Sequence, residues 1–263
     1  MLYFDSLVHV TTDGTWFHTR YDASLEHLLT SLQESAPARA CVVGIDGYNM
    51  PHDFILEVCQ RHPDLLIPVA GLNPHTLKTS RDAHKRVSEL SGLGFRAVKL
   101  HPRLSSFDLN APQVDWLMEA LSKAGLPVFL CTILRGMLRV PSAPPVDLVY
   151  NLLNRHPETP TVLLHGGLTD LLAFSDMIRA FPNALLDLSF TLLRYCHSSI
   201  DLDLQYVLRR LDQKCTVGSD FPEYLPVEAR QRVLELMEGL PLNKVENVLH
   251  ANLSAILGIQ GTA

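Results

Sequence analysis

The chain has 263 residues, 47% of them hydrophobic and 19% charged, with a formal net charge of -6. That acidity, with no run of Lys or Arg, argues against nucleic acid as a partner, and no apolar stretch approaches the ~18 residues of a membrane span. Five cysteines, at 41, 59, 131, 196 and 215, form no CxxC pair, which is the usage of a reduced, cytoplasmic protein.

Short β-rich runs alternate with helical patterns along the sequence. The first run, Leu2–Asp5, follows an opening with no basic, cleavable leader, so no signal peptide is expected. A polar loop, Thr11–Asp22, leads to a helix over Ala23–Ser35 with Leu25, Leu28, Leu29 and Leu32 on one stripe. Strands are then expected at Ala40–Ile45, Leu66–Leu72, Arg96–His101, Val128–Thr132, Thr161–His165, Ala184–Leu188 and Cys215–Ser219. Most are nearly continuous apolar runs, as parallel strands covered by helices should be. The helices between them are expected at Phe54–Arg61, Thr79–Ser91, Val114–Lys123, Val146–Arg155, Leu171–Ala180, Leu202–Leu211 and Val227–Glu238. Gly125 stands where a C-cap would end the fourth of these eight helices. An additional terminal helix, Val245–Leu257, stops at Gly258.

Eight strands each followed by a helix predict a (β/α)8 TIM barrel spanning 1–263 as one domain. A doubly wound open sheet is disfavoured, because no GxGxxG follows the first strand. In a barrel all strands end on one rim, so Asp5, His9, Lys99, Cys131, His165 and Asp220 are expected to converge there. The insertions Thr11–Asp22, Arg103–Ala111 and Ile133–Pro145 belong to that face.

Lys99, flanked by Val98 and Leu100, should point into the barrel, and His101 shares its parity. Arg103 lies just beyond, where a guanidinium could take a carboxylate in two-pronged fashion or simply face solvent. Trp16, His18 and Arg20 in the first loop, with Tyr48 and Asn49 after strand two, are candidate substrate contacts. Gly218 allows close backbone approach, and Phe221-Pro222 ends the last strand after Asp220. Asp220 either caps its loop or carries chemistry. His165 is either a core histidine or an electrophile beside a helix start.

With these residues placed, the chain resembles the amidohydrolase superfamily, in its branch of decarboxylase-like and lactonase-like (β/α)8 hydrolases. Phe4-Asp-Ser-Leu-Val-His9 is similar to the family opening, apolar-Asp-x-His-x-His. Gly94–Pro102, Gly125–Cys131, Thr161–Gly167, Leu186–Ser189 and Gly218–Pro222 resemble its fourth to eighth strands, and Leu249–Gly258 its terminal helix. The resemblance implies Asp220 as the carrier of the attacking water's proton; the residues themselves offer His165 and His9 as positioning or polarising groups, and Lys99, His101, Arg103, His18 and Arg20 as substrate-binding. Family members usually bind a divalent metal through two first-strand histidines, a strand-five histidine and the strand-eight aspartate. Leu7 stands at the first of these positions and Cys131 at the third.

No metal is therefore expected, or a single zinc at low occupancy held by His9, Cys131 and Asp220. Cys131 reads otherwise as an apolar filler. The expected activity is hydrolysis of a lactone, ester or C–N bond in a small, polar, anionic metabolite. A non-catalytic metabolite- or partner-binding barrel and a decarboxylase or lyase are the alternatives. A small-molecule substrate is the expected partner, without nucleic acid or membrane, and a homodimer is left open.

Overall fold

A computed structural model describes residues 1–134 and 143–259. Its eight strands are β1 (Tyr3–Val8), β2 (Ala38–Val43), β3 (Leu66–Leu72), β4 (Ala97–Leu100), β5 (Val128–Cys131), β6 (Thr161–Leu164), β7 (Ala184–Asp187) and β8 (Cys215–Thr216). All run parallel and lie in sequence order. The chain beyond β8 returns to β1. Ser6 N–H donates to Val217 O (3.1 Å), Asp220 N–H to Leu7 O (3.0 Å) and His9 N–H to Phe221 O (2.9 Å). These bonds join the last strand to the first, and the fold is the expected (β/α)8 barrel.

The helices are α1 (Leu25–Glu34), α2 (His52–Arg61), α3 (Ser80–Leu93), α4 (Pro102–Ser105), α5 (Pro112–Ala124), α6 (Pro145–Arg155), α7 (Leu171–Met177), α8 (Thr191–Arg194), α9 (Ile200–Arg210), α10 (Pro226–Leu236), α11 (Leu242–Glu246) and α12 (Asn252–Ile256). Their limits follow from capping chemistry. Ser24 accepts His27 N–H at the start of α1, and Thr79 and Asp82 form a reciprocal capping box on α3. Gly125 ends α5 in the left-handed conformation, as the sequence predicts. The insertion after β4 contains the short helix α4, and eight residues of the one after β5, 135–142, lie outside the described residues.

Side chains separate into two layers. Val98, Leu100, Val128 and Leu130 face outward to the helices, while Leu7, Cys41, Val43, Val69, Ala97, Phe129, Val162 and Leu164 fill the barrel interior. Leu253 and Leu257 pack onto this inner cluster. The terminal helix is not continuous, contrary to expectation. A π-helical stretch, Asn247–Ala251, separates α11 from α12. The cause lies at the foot of β8, where Asn252 Nδ2 donates to Asp212 O (2.6 Å) and Cys215 O (2.7 Å). Lys244 and Asn247 bind the Asp212 carboxylate from the same side. Satisfying these buried groups pulls the helix out of α-register.

The first strand also differs from expectation, running to Val8 with a register shift between Asp5 and Val8. Asp5 is fully buried and does not belong to the rim. Its carboxylate accepts Leu7 N–H (3.1 Å), Ser219 N–H (2.9 Å) and Tyr3 O–H (3.0 Å), which locks the β1–β8 seam. The seam leaves no space at Gly218, where an added Cβ would lie 2.8 Å from Asp5 Oδ1 and 2.9 Å from Leu7 N. Overpacking against backbone that cannot yield costs roughly 1–3 kcal/mol. Gly218→Ala should therefore lower the urea midpoint by a corresponding amount with an unchanged denaturant slope; an unchanged midpoint would refute this account of the seam.

Candidate functional site

The site forms around Lys99. Register places it beside Gly71 of β3 and Phe129 of β5, pointing into the barrel, and only 2% of its surface is exposed. Its Nζ lies 3.3 Å from His9 Nε2. The other ring nitrogen of His9, Nδ1, lies 2.5 Å from Val43 O. A carbonyl can only accept, so Nδ1 carries the proton and Nε2 presents its lone pair to the Lys99 ammonium. Burial, reinforced by Lys99, pushes the His9 ring well below the usual histidine range and keeps it neutral. Trp16 stacks on the ring at 4.9 Å and fixes its plane.

Two more buried histidines adjoin this pair, and their partners assign opposite tautomers. His165 Nδ1 lies 3.3 Å from Ser189 O, so it donates and leaves Nε2 as an acceptor. His101 Nδ1 accepts Leu104 N–H at 3.3 Å, capping α4, so its proton sits on Nε2. Burial, with Lys99 and Arg103 nearby, pushes His165 down to about 3 and His101 well below its ordinary value. Polarising a carbonyl, the part expected of His165, would require the other tautomer, with Nδ1 accepting from the Ser189 hydroxyl that also lies 3.3 Å away. A neutral ring with Nε2 unprotonated can take a proton but cannot donate one; the ring with a free N–H is His101.

Asp220 stands at the mouth with Oδ1 3.6 Å from His9 Nε2. A neutral His9 with that tautomer cannot donate to it, so no His9–Asp220 hydrogen bond keeps the carboxylate ionised. Burial raises the Asp220 carboxyl to about 7, against the pull of Lys99. Its backbone holds a φ of 63° and that of His165 a φ of 69°, a left-handed conformation costing roughly 1–3 kcal/mol in a residue other than glycine. Such strain collects where side chains must be aimed.

Beneath them lies Asp187, which the sequence reading did not single out. It accepts the Ser6 and Ser189 hydroxyls, together with His165 N–H (3.4 Å) and Ser189 N–H (3.1 Å). It therefore holds both the backbone and, through Ser189, the ring of His165. The Asp-Leu-Ser spacing at 187–189 is the only sequence signal for this arrangement.

The remaining expected residues divide. Arg103, on α4, keeps its Nε buried with no hydrogen-bond partner, and its charge acts on Lys99, His101 and His165. It belongs to the site. Cys131 is fully buried, and burial raises its thiol although Lys99 and Arg103 oppose this. A thiol so placed is neither a ready ligand nor a nucleophile. His18 and Arg20 are exposed on the first loop, and His18 lines a cavity of about 220 Å³ with Trp16, Phe17, Tyr48 and Asn49. Tyr48 packs edge-on against Phe17, and Asn49 binds Asp13, so both brace that loop. Phe190 and Tyr224 stand together on the other side, with Arg194 over the Phe190 ring. Glu223 ties the two sides by accepting Trp16 Nε1–H at 3.3 Å. A larger cavity, of about 960 Å³, lies at the opposite end of the barrel around Met1, Pro37, Leu65 and His250, far from this chemistry.

Residues 14–245 match the family model described as amidohydrolase. The chain belongs to the amidohydrolase family. Solved structures share its fold. A TIM-barrel protein from Bordetella bronchiseptica superimposes with a TM-score of 0.81 at 17% identity, covering 98% of this chain and 99% of that one. A probable 2-pyrone-4,6-dicarboxylic acid hydrolase from Acinetobacter baumannii, with citric acid bound, gives 0.73 at 17% identity over 98% and 100%. The 5-carboxyvanillate decarboxylase of Novosphingobium aromaticivorans, complexed with manganese, gives 0.72 at 11% identity over 98% and 96%. No protein with a curated description matches the chain.

Metals bound in such neighbours raise the question of whether this amidohydrolase's residues fit one. They do not. Among the described residues the only three His, Cys, Asp or Glu donors within 4.8 Å of one another are those of Cys196, His197 and Asp201. There Asp201 is already taken by Arg232 (2.6 Å) and His197 N–H (2.6 Å). At the barrel mouth, His9, Cys131 and Asp220 do not gather so closely. An ammonium faces the lone pair of His9, and a dication beside it would meet like charge.

The three tautomers make a direct prediction. In a 15N-edited NMR titration from pH 8 to pH 5, the rings of His9, His101 and His165 should remain neutral. A ring among them that takes up a proton near pH 6.5 would contradict the assignment.

Proposed function

We propose that this amidohydrolase cleaves an activated ester, most simply a lactone, or a C–N bond in a small anionic metabolite without needing a divalent metal. One observation carries the reading: donors and acceptors gather at one barrel mouth, where His9 Nε2 lies 3.3 Å from Lys99 Nζ and 3.6 Å from Asp220 Oδ1. Lys99, His101 and Arg103, at alternate positions from β4 into α4, offer N–H groups. Asp220, His9 and His165 offer lone pairs. Water held among them loses its proton to the Asp220 carboxylate as it attacks a carbonyl held by the donors. A lactone suits the site because its carbonyl needs less polarisation than an amide's. The cationic side also suits a substrate carboxylate, with Arg103 able to form two parallel bonds to it.

The resemblance in fold to a pyrone-dicarboxylic acid hydrolase supports this reading without supplying it. The manganese-bearing decarboxylase neighbour favours decarboxylation as a second reading. Product analysis separates them, since hydrolysis of a lactone releases no carbon dioxide. The cytoplasm is the compartment proposed, on cysteine usage.

The base role of Asp220 fixes a pH dependence. With its carboxyl raised to about 7, the basic form is scarce below that pH and complete above it, so kcat/KM should rise through pH ~7. Asp220→Asn should lower lactone turnover by roughly 10²–10⁴-fold and remove that rise. Binding of a product carboxylate should change far less. Turnover that is indifferent to Asp220→Asn would remove Asp220 from the mechanism.

A further inference from the structure

We propose that the Lys99 ammonium is the site's built-in electrophilic cation: fixed by His9, it binds the carbonyl oxygen of the substrate and stabilises the negative charge that develops there. The inference rests on the hydrolytic reading for what that oxygen becomes, but its geometry stands independently.

Four observations converge. First, Lys99 rises from a barrel strand into the interior with 2% exposure, so its head group cannot reach bulk water as surface lysines do. Second, the only hydrogen-bond partner of Nζ among the described residues is His9 Nε2 at 3.3 Å. An ammonium has three N–H groups, so two remain to be directed at a ligand. Third, His9 is a prepared acceptor. Its other nitrogen is committed to Val43 O, and Trp16 stacks on its face, so it cannot turn away. Fourth, Lys99 is the shared neighbour of the cluster, acting electrostatically on His9, His101, Cys131, His165 and Asp220.

A cation held in place before the substrate arrives needs no reorganisation during the reaction, and in a dry site it is worth far more than in water. The step balances simply. Asp220 takes one proton from water, the new C–O bond forms, and the carbonyl π pair moves onto the oxygen held by Lys99. Collapse of that oxyanion expels the ring oxygen of the lactone, which regains a proton from Asp220. Lys99 keeps all its protons throughout. Its task is electrostatic, and it differs from merely holding a remote carboxylate, a part that Arg103 can play.

The experiment has three arms on the full chain. Manganese or zinc is titrated calorimetrically into protein stripped by chelator, lactone turnover is measured with chelator present, and glutarate binding is measured separately. The wild type should take up no stoichiometric divalent metal and keep its turnover in chelator. Lys99→Met, which fits the same buried channel, should retain the circular dichroism of the wild type, lose at least 10²-fold in kcat, and bind glutarate at most about tenfold more weakly. One tightly held metal per wild-type chain, with turnover abolished by chelator, would overturn the proposal without any variant. Unimpaired kcat in Lys99→Met would also overturn it, as would loss confined to glutarate affinity and KM. Absence of lactone turnover in the wild type would instead defeat the hydrolytic reading and with it the oxyanion role of Lys99, which would be left as an anion-binding group if glutarate affinity fell in Lys99→Met and with no part in the site if it did not.

Discussion

The contact between the Lys99 ammonium and His9 Nε2 is the interaction on which the rest of this site depends. It requires a histidine whose proton is held elsewhere, which Val43 O accomplishes, and a lysine that cannot escape to solvent, which the closed barrel accomplishes. From that pair the other roles follow. Burial, reinforced by this fixed positive charge, discourages protonation of every nearby ring, so the three histidines stay neutral and act by tautomer instead of by charge. The same charge draws the Asp220 carboxyl downward, while burial pushes it up. The balance leaves it near 7, where a carboxylate is a useful base.

The arrangement has a cost in stability that falls on the histidines at low pH and on the carboxylates at high pH. Asp5 and Asp220 are both raised from 3.8 to about 7, so the folded chain binds protons more readily than the unfolded one between those values. Their contribution is full below pH ~4 and declines as pH rises to ~7. The buried histidines act the other way, because the unfolded chain takes up protons below pH ~6.5 that the folded chain refuses. The two slopes oppose each other between about pH 4 and 6.5. A site that concentrates six polar side chains in a barrel mouth thus avoids a steep dependence in either direction. The fully bonded carboxylates Asp5 and Asp187 support it from below, where a half-satisfied network would destabilise the barrel.

Much of this was legible in the amino acids. Continuous apolar runs at regular spacing specified parallel strands, and the strand ends identified His9, Lys99, His101, His165 and Asp220 as neighbours despite large separations in sequence. Parity alone turned Lys99 inward. Which histidine donates and which accepts was not legible, because that depends on Val43 O, Ser189 O and Leu104 N–H, backbone groups that carry no residue-type signal. Asp5 was misplaced on the rim for a related reason: its partners, Leu7 and Ser219 N–H, come from a register shift that alternation does not reveal. The break in the terminal helix depends on Asn252 finding two carbonyls across the barrel foot, a tertiary demand that overrides local helical periodicity. Leu7 and Cys131, which the resemblance sets at metal-ligand positions, are both fully buried in the barrel.

The most direct measurement is a crystal structure of the protein with a small dicarboxylate, grown with manganese present and with anomalous data collected at its absorption edge. The account predicts a ligand oxygen within hydrogen-bond distance of Lys99 Nζ, His9 Nε2 still facing that ammonium, and no anomalous peak between His9 and Asp220. An ordered manganese bonded to His9 Nε2 and Asp220, with Lys99 displaced from the centre, would contradict it.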